Sequence, residues 1–247
     1  LMLTKLFLFF LLNSSSYQAQ QSSLSFSKIK SERVIIDKDS IRLRVEDINS
    51  KTPFQIDYTP LLEETIINYL ENRQATYLEL YSKSDYFFPI FENALQKYNV
   101  PLELKYIPVI ESALNPRAKS RVGATGLWQF MFNTAKDLDL KVNSYVDERM
   151  DPIKSSEAAA KYLSELYARF NDWNLAIAAY NYGPGNIRRA IKASGYSNFW
   201  NLRGYLPKET ANYVPSFIAT LYLFEFAHKH EIKIKSKEMK LALTDSI

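Results

Sequence analysis

Glu111 is the residue in this sequence best placed to do chemistry, because its carboxyl group sits in an apolar stretch. Its neighbours on both sides are Val109, Ile110, Ala113 and Leu114. Desolvation disfavours the ionised form of a carboxyl group and raises its pKa, so the group can stay protonated near neutrality. Such an acid can donate a proton to a departing oxygen, as cleavage of a glycosidic bond requires. Taken alone, the residue also fits an ordinary helix-end glutamate in a salt bridge.

A second segment, from Gly123 to Met131, combines two glycines with polar and aromatic side chains. The glycines permit a tight loop whose backbone can approach a ligand closely. We predict that the next helix spans residues 127–138. The Gln129 amide both donates and accepts hydrogen bonds, which suits the acetamido and hydroxyl groups of amino sugars. The alternative is a glycine turn before a buried helix, with Gln129 on the surface.

The third segment is an apolar helix, predicted for residues 173–181, that ends in Tyr180 and Asn181 just before Gly183-Pro184-Gly185. A helix this apolar should be buried, and a polar pair at its end then needs hydrogen-bond partners. Two roles are open for the pair: contact with a ligand, or a helix cap with a partly buried tyrosine.

These three segments, in this order, resemble the catalytic core of the lytic murein transglycosylases, which have a lysozyme-like fold and cleave peptidoglycan. The run from Leu206 to Pro215 narrows the resemblance to the membrane-bound D-type subfamily. The resemblance implies that Glu111 is the catalytic residue and that the Tyr180 hydroxyl lies beside it. It also implies that substrate is bound by Ser112, Gln129, Phe130, Met131, Tyr180, Asn181 and Tyr213.

The reaction that the resemblance implies is non-hydrolytic cleavage between N-acetylmuramic acid and N-acetylglucosamine. Glu111 would protonate the bridging oxygen, the 6-hydroxyl of the substrate would attack the anomeric carbon, and Glu111 would then accept the hydroxyl proton. The product is a 1,6-anhydro sugar. A hydrolytic muramidase of the goose-lysozyme type and a non-catalytic peptidoglycan-binding protein are the alternatives. A second carboxylate in the cleft is left open by four residues between the motifs: Asp137, Asp139, Asp147 and Glu148.

The elements that must position these residues are predicted to be helices, so the predicted fold class is all-α. The resemblance implies a lysozyme-like domain, and we expect it to carry an N-terminal helical extension. Apolar residues recur at helical spacing after Pro60, and Pro89 fits the first turn of a further helix. Other helices are predicted over residues 102–111, from Pro152 onward, and over residues 208–229. The sequence contains no alternating strand series and no internal repeat.

Composition excludes several function classes. Cysteine is absent, so the chain has no disulfide, thiol nucleophile or Cys-ligated metal. The net charge of +4 is spread along the chain, which suits an anionic wall polymer but not nucleic acid. The two histidines, His228 and His230, lack a metal-ligand pattern and are predicted to lie on the surface. We expect no metal or cofactor, peptidoglycan glycan strands as the partner, and other cell-wall enzymes as further candidate partners.

The chain divides into four predicted segments. Residues 1–19 are typical of a secretory signal peptide, because Lys5 precedes an apolar run that is too short to span a bilayer; an uncleaved anchor is the alternative. Residues 20–52 form a leader that is predicted to be a small hairpin or an extended arm. Residues 53–231 form the catalytic domain, and residues 232–247 a basic tail without a LysM module. We expect export to the periplasm or cell envelope, with membrane association left open.

Overall fold

The computed structural model describes residues 36–72 and 74–230, and its regular structure is helical. The α-helices in these residues are α1 Lys38–Lys51, α2 Pro60–Asn72, α3 Gln74–Lys97, α4 Ile107–Ser112, α5 Phe132–Asp137, α6 Pro152–Phe170, α7 Trp173–Tyr182, α8 Pro184–Ser194, α9 Phe199–Leu202 and α10 Lys208–Phe226. Short 3₁₀ turns cover Leu102–Tyr106, Glu148–Met150, Arg203–Tyr205 and Ala227–His230. In this part of the chain, β-type pairing is limited to three isolated bridges. The prediction of an all-α fold is confirmed.

The first helix, α1, begins at a well-formed cap. Asp37 accepts hydrogen bonds from the backbone N–H groups of Asp39 and Ser40, both at 3.2 Å, and so satisfies amides that the first helical turn leaves without a partner. Its buried side chains recur at helical spacing: Ile41, Val45 and Ile48. The prediction of a hairpin or extended arm is wrong for this stretch. The predicted signal peptide, the first part of the leader and the basic tail lie outside the described residues.

The centre of the fold is α10, which packs against α1, α2, α4 and α7. α7 is buried from Trp173 to Ala179, as expected for a helix that is apolar on all sides. α6 packs across both α3 and α7. Among the helices of the described segments, none has both the length and the apolarity that crossing a bilayer demands.

Pro89 lies inside α3 and not in the first turn of a separate helix, so that prediction is wrong. Proline has no N–H group, and the acceptor that loses its partner is the carbonyl of Asp85. Both residues are exposed. Water can therefore replace the missing donor, which is why α3 continues through the proline.

Two predicted helices near the candidate site are shorter than expected. The first is divided into the 3₁₀ turn Leu102–Tyr106 and α4, because Pro108 in the first turn of α4 has no N–H to donate backward. The second begins at Phe132. Gly126 and Gln129 have φ angles of +85° and +50°, in the left-handed region that no α-helix contains. The predicted helix over residues 208–229 ends its α-helical part at Phe226.

The loop between α4 and α5 is held by Arg149, which is only 6 % exposed. The guanidinium donates to the carbonyls of Gly123 at 3.0 Å and Phe130 at 3.2 Å. It also pairs with Asp147 at 2.7 Å, and this hydrogen-bonded partner lowers the pKa of the Asp147 carboxyl. Gly126 lies against the backbone of Arg149, so a Cβ added to Gly126 would be 1.8 Å from the Arg149 carbonyl oxygen. The loop therefore has essentially one permitted path.

We predict that Gly126→Ala lowers the free energy of unfolding by at least about 3 kcal/mol, because a methyl group would collide with backbone and the left-handed φ would be strained. Gly123→Ala has a similar φ of +86° but no atom within 4 Å, and should cost about 1 kcal/mol. Gly204→Ala, also in open space, should be neutral within about 0.5 kcal/mol. Urea denaturation of the three variants checks this order, and equal costs would contradict the packing argument.

His230 is buried, so the prediction that it lies on the surface is wrong, whereas His228 is exposed as predicted. The Nε2 atom of His230 lies 2.8 Å from Nη1 of Arg44 and 2.8 Å from the Tyr222 hydroxyl. Arginine can only donate, so Nε2 must be an unprotonated acceptor. Burial, followed by the Arg44 charge, lowers the pKa of His230 to about 4.

The buried histidine should make the protein less stable in acid. Between its ordinary pKa of 6.5 and its folded value of about 4, the unfolded chain binds a proton that the native protein does not, so the free energy of unfolding falls as the pH is lowered. We expect His230 to account for about 2 to 3 kcal/mol of this fall. Chemical denaturation at pH 7 and pH 4.5 should show a weaker pH dependence in His230→Gln than in His228→Gln. Equal pH dependence in the two variants would contradict the assignment.

Candidate active site

Glu111 lies at the end of α4, partly buried. The helix ends at the next residue, Ser112, and Ala113 and Leu114, which follow it, have left-handed φ angles of 51° and 57°. Two consecutive non-glycine residues in this region carry strain. Their N–H groups donate to the Val109 and Pro108 carbonyls at 3.2 and 3.3 Å, which closes the end of the helix. The carboxyl group is thus placed at an abrupt and well-defined turn.

The Tyr213 hydroxyl donates to Oε1 of Glu111 at 2.6 Å. Tyr213 is fully buried in α10, the central helix. Burial, together with the charge of Glu111, raises the pKa of Tyr213 well above its ordinary value. The phenol therefore stays protonated and acts on the carboxylate as a fixed hydrogen-bond donor.

Tyr180, at the end of α7, makes a different contact from the one expected. Its hydroxyl donates to the carbonyl oxygen of Trp128 at 2.7 Å. Burial and then the charge of Glu111 raise the pKa of Tyr180, which indicates that the two residues are near neighbours. A phenol has one hydrogen to donate, so the tyrosine that donates to Glu111 is Tyr213 and not Tyr180.

The second motif folds as a tight loop that turns its aromatic residues inward. Trp128 is completely buried, and its indole N–H donates to the Ser156 hydroxyl at 2.9 Å. Phe130 is 3 % exposed and its ring lies 6.1 Å from that of Tyr180. Met131 is partly buried, directly before α5.

The remaining predicted binding residues have internal partners. The Gln129 amide nitrogen donates to the carbonyls of Gly126 at 2.8 Å and Ala118 at 3.2 Å, while the side chain stays partly exposed. The buried Ser112 hydroxyl donates to the Pro108 carbonyl at 3.0 Å. Their direct contact with substrate stays a prediction.

Asn181 is linked to α10 by Thr210, a residue that the sequence analysis missed. The Thr210 hydroxyl donates to Oδ1 of Asn181 at 2.9 Å. Thr210 lies three residues before Tyr213, on the same side of the helix. Helical spacing within the run from Leu206 to Pro215 could therefore have indicated Thr210. Arg149 was missed as well, and an isolated arginine in a loop gives no comparable signal.

The acidic residues between the motifs have other positions. Asp147 is paired with Arg149, and Glu148 with Lys154 at 2.5 Å. Asp137 and Asp139 are exposed. The acidic side chain whose charge reaches Tyr213, besides Glu111, is Glu209, one helical turn before it in α10. Glu209 is therefore the carboxylate against which a role for Glu111 can be compared.

The chain resembles known proteins in sequence. Residues 88–203 match the family model for the Transglycosylase SLT domain. The chain is 36 % identical over 154 residues to the membrane-bound lytic murein transglycosylase D of Escherichia coli K12, covering 60 % of this chain and 34 % of that protein. It is also 38 % identical over 119 residues to a putative tributyltin chloride resistance protein of an Alteromonas species, covering 48 % of this chain and 57 % of that protein.

The fold is shared with a solved enzyme structure. The 70-kDa soluble lytic transglycosylase of Escherichia coli superposes with a TM-score of 0.50 at 22 % identity, covering 81 % of this chain and 37 % of that one. This supports the lysozyme-like fold that was predicted, since low identity with a shared topology speaks for fold alone. The chain spans about a third of the length of its Escherichia coli D-type relative. Residues 88–203 thus match the Transglycosylase SLT domain model, and the chain resembles the D-type lytic murein transglycosylases over 154 residues.

Proposed function

We propose that this domain cleaves the glycan strand of peptidoglycan between N-acetylmuramic acid and N-acetylglucosamine, without water, to leave a 1,6-anhydro end. The observation that carries the proposal is the 2.6 Å hydrogen bond from the buried Tyr213 to Glu111. It fixes one oxygen of the Glu111 carboxyl group and joins α4 to α10. A fixed, partly buried acid is what protonation of a glycosidic oxygen needs.

The proposed mechanism gives each carboxyl oxygen a separate task. Oε1 of Glu111 accepts from Tyr213, and we assign the transferable proton to Oε2. Oε2–H protonates the bridging oxygen as the bond to the anomeric carbon breaks, and Glu111 becomes a carboxylate. The 6-hydroxyl of the same sugar then attacks the oxocarbenium-like carbon and gives its proton to Oε2. The acid is regenerated, and no atom is taken from solvent.

The two tyrosines then differ in role. Tyr213 stabilises the carboxylate that forms when Glu111 gives up its proton, because a hydrogen bond to a charged acceptor is stronger than one to a neutral acceptor. Tyr180 acts on Glu111 only indirectly, because its hydrogen bond to the Trp128 carbonyl holds the loop between α4 and α5 against α7. In this scheme Gln129, Met131 and Asn181, all partly exposed, are the predicted contacts to sugar substituents.

Residues 53–231 are proposed as the catalytic domain, with α1 as a helical extension packed on it. The names of the relatives, which describe membrane-bound murein enzymes, support a location in the cell envelope. A signal peptide over residues 1–19 is the proposed route of export. Other cell-wall enzymes remain proposed partners.

The first prediction concerns the product. Digestion of purified peptidoglycan should release muropeptides that end in anhydro-muramic acid, lighter by one water than hydrolysis products and not reduced by borohydride. A 6-hydroxyl held against the anomeric carbon reacts at high effective concentration and outruns water. Mass spectrometry after digestion in oxygen-18 water should find no label at the new ends. Labelled, reducible ends would make the protein a muramidase.

Two variants serve as matched controls for this digestion. Glu111→Gln should lower turnover at least about 100-fold, because the amide cannot donate the required proton. Glu209→Gln, which removes the other carboxylate near Tyr213, should reduce turnover by less than about threefold. Loss of activity in Glu209→Gln with the fold intact would point to a mechanism with two carboxylates.

A second prediction separates Tyr213 from other buried tyrosines. Tyr213→Phe should lower kcat about 10- to 100-fold while KM changes little, since the lost bond matters most when Glu111 is ionised. The control is Tyr222→Phe, a buried tyrosine on the same helix whose hydroxyl contacts His230. It should lower stability but leave kcat unchanged. Wild-type kcat in Tyr213→Phe would remove the tyrosine from the mechanism.

A further inference from the structure

A polar hollow of about 210 Å³ lies at the amino-terminal end of α7. α7 has ten residues, and at 1.5 Å per residue its two ends are about 15 Å apart. Tyr180 and Asn181 lie at the other end, so the hollow is separate from the candidate cleft. Its walls include Gln55, Asp57, Asp172, Asn174, Trp200 and Asn201.

Asn174 supplies the observation that points to a ligand. Its side chain is 1 % exposed, and its amide nitrogen donates to the Gln55 carbonyl at 2.7 Å. This bond fixes the amide orientation, because the reverse would set two carbonyl oxygens against each other. Asn174 lines the hollow, and its Oδ1 atom has no hydrogen-bond partner among the described residues. An unpaired buried acceptor costs about 1 to 3 kcal/mol, and a donor that reached it from the hollow would remove that cost.

Two carboxylates of the hollow are further acceptors. Asp172 accepts from the backbone N–H of Leu175 at 3.0 Å, and burial raises the pKa of its carboxyl group despite that bond. Asp57 lies exposed at the edge. The described residues hold no group of three or more histidine or acidic side chains able to bind a metal ion. The hollow therefore offers a ligand these two carboxylate acceptors beside the side-chain amides of Gln55, Asn198 and Asn201, which both donate and accept.

Trp200 adds a flat apolar surface beside these acceptors. Its indole N–H donates to the Gln55 carbonyl at 2.6 Å, and the ring of Phe199 packs on it edge-to-face at 5.3 Å. The ring is thus held in place while part of it stays exposed. A sugar ring has both complements: an apolar C–H face for the indole and hydroxyl hydrogens for the carboxylates and amide oxygens.

We propose that this hollow binds a single sugar unit of a glycan, through donated hydroxyl and amide hydrogens, at a site distinct from the cleft. Its volume equals that of about seven liquid waters, which suits one ring and not an oligomer. The identification of this glycan as the strand being cleaved rests on the proposed function. The proposal that the hollow binds a sugar does not depend on it.

The test is a titration of the full chain carrying Glu111→Gln, with N-acetylglucosamine tetramer as the probe. Two-dimensional NMR follows the Trp200 indole N–H and the Asn174 side-chain amide, which report on the hollow, and the amides around residues 111–114, which report on the cleft. We expect saturable shifts at Trp200 and Asn174. Binding there should weaken at least tenfold in Trp200→Ala and at least threefold in Asp57→Ala, an exposed position whose replacement spares the fold. Tyr145→Ala, which removes an aromatic ring that is 94 % exposed and not part of the hollow, should bind normally.

The outcomes separate this proposal from the previous one. Shifts at Trp200 without shifts around Glu111 would support the hollow and count against the cleft. Trp200 and Asn174 signals that stay still while the tetramer is in large excess would overturn the sugar site. A tetramer of glucosamine, which carries ammonium groups, gives the last comparison. If it binds at least tenfold more tightly than the acetylated tetramer, and salt abolishes this advantage, the hollow recognises cations and the proposal is wrong.

Discussion

The hydrogen bond between Tyr213 and Glu111 is the interaction on which the candidate site depends. It joins residues 102 positions apart in sequence, one on the central helix and one at the end of a short helix. A buried phenol needs a partner, and α10 is fixed by packing against four other helices. Fold stability and the position of the carboxyl group are therefore set by the same contacts. A core substitution that shifts α10 would also shift the donor, so effects on stability and on turnover should be coupled.

Arg149 sets a second constraint, and it acts on the backbone. The part of the loop between α4 and α5 that contains Gly123 and Gly126 has no helix or strand to define it. Its path is fixed by the buried guanidinium of Arg149, which binds two of its carbonyls. Tyr180 holds the same loop from α7 through the carbonyl of Trp128. Gln129 is carried between these two anchors in a left-handed conformation. Its side-chain direction thus depends on residues on both sides of the loop, far from it in sequence.

What the sequence could predict was local. Three features follow from neighbours within a few residues: the start of α6 at Pro152, the glycine stop after α7 and the position of Glu111 near a helix end. Contacts that span the chain were not predictable in this way. The resemblance implies that Tyr180 and Tyr213 lie near the cleft, but only the packed structure decides which hydroxyl reaches Glu111. The prediction that His230 lies on the surface failed for the same reason, because its partner Arg44 lies 186 residues away in the sequence.

α7 links the two proposed binding regions. Its apolar body is packed on all sides, so the helix cannot tilt or slide without disturbing the core. Asn174 at one end and Asn181 at the other are therefore held at a fixed spacing. Ala176, Ala178 and Ala179 have no exposed surface, and enlarging any of them would cost about 1 to 3 kcal/mol in overpacking. The small side chains that let α6 and α10 approach α7 thus also keep the cleft and the hollow at a fixed distance from each other. A glycan strand that reached both the cleft and the hollow would contact a rigid surface. The strand, and not the protein, would therefore have to change its conformation to fit.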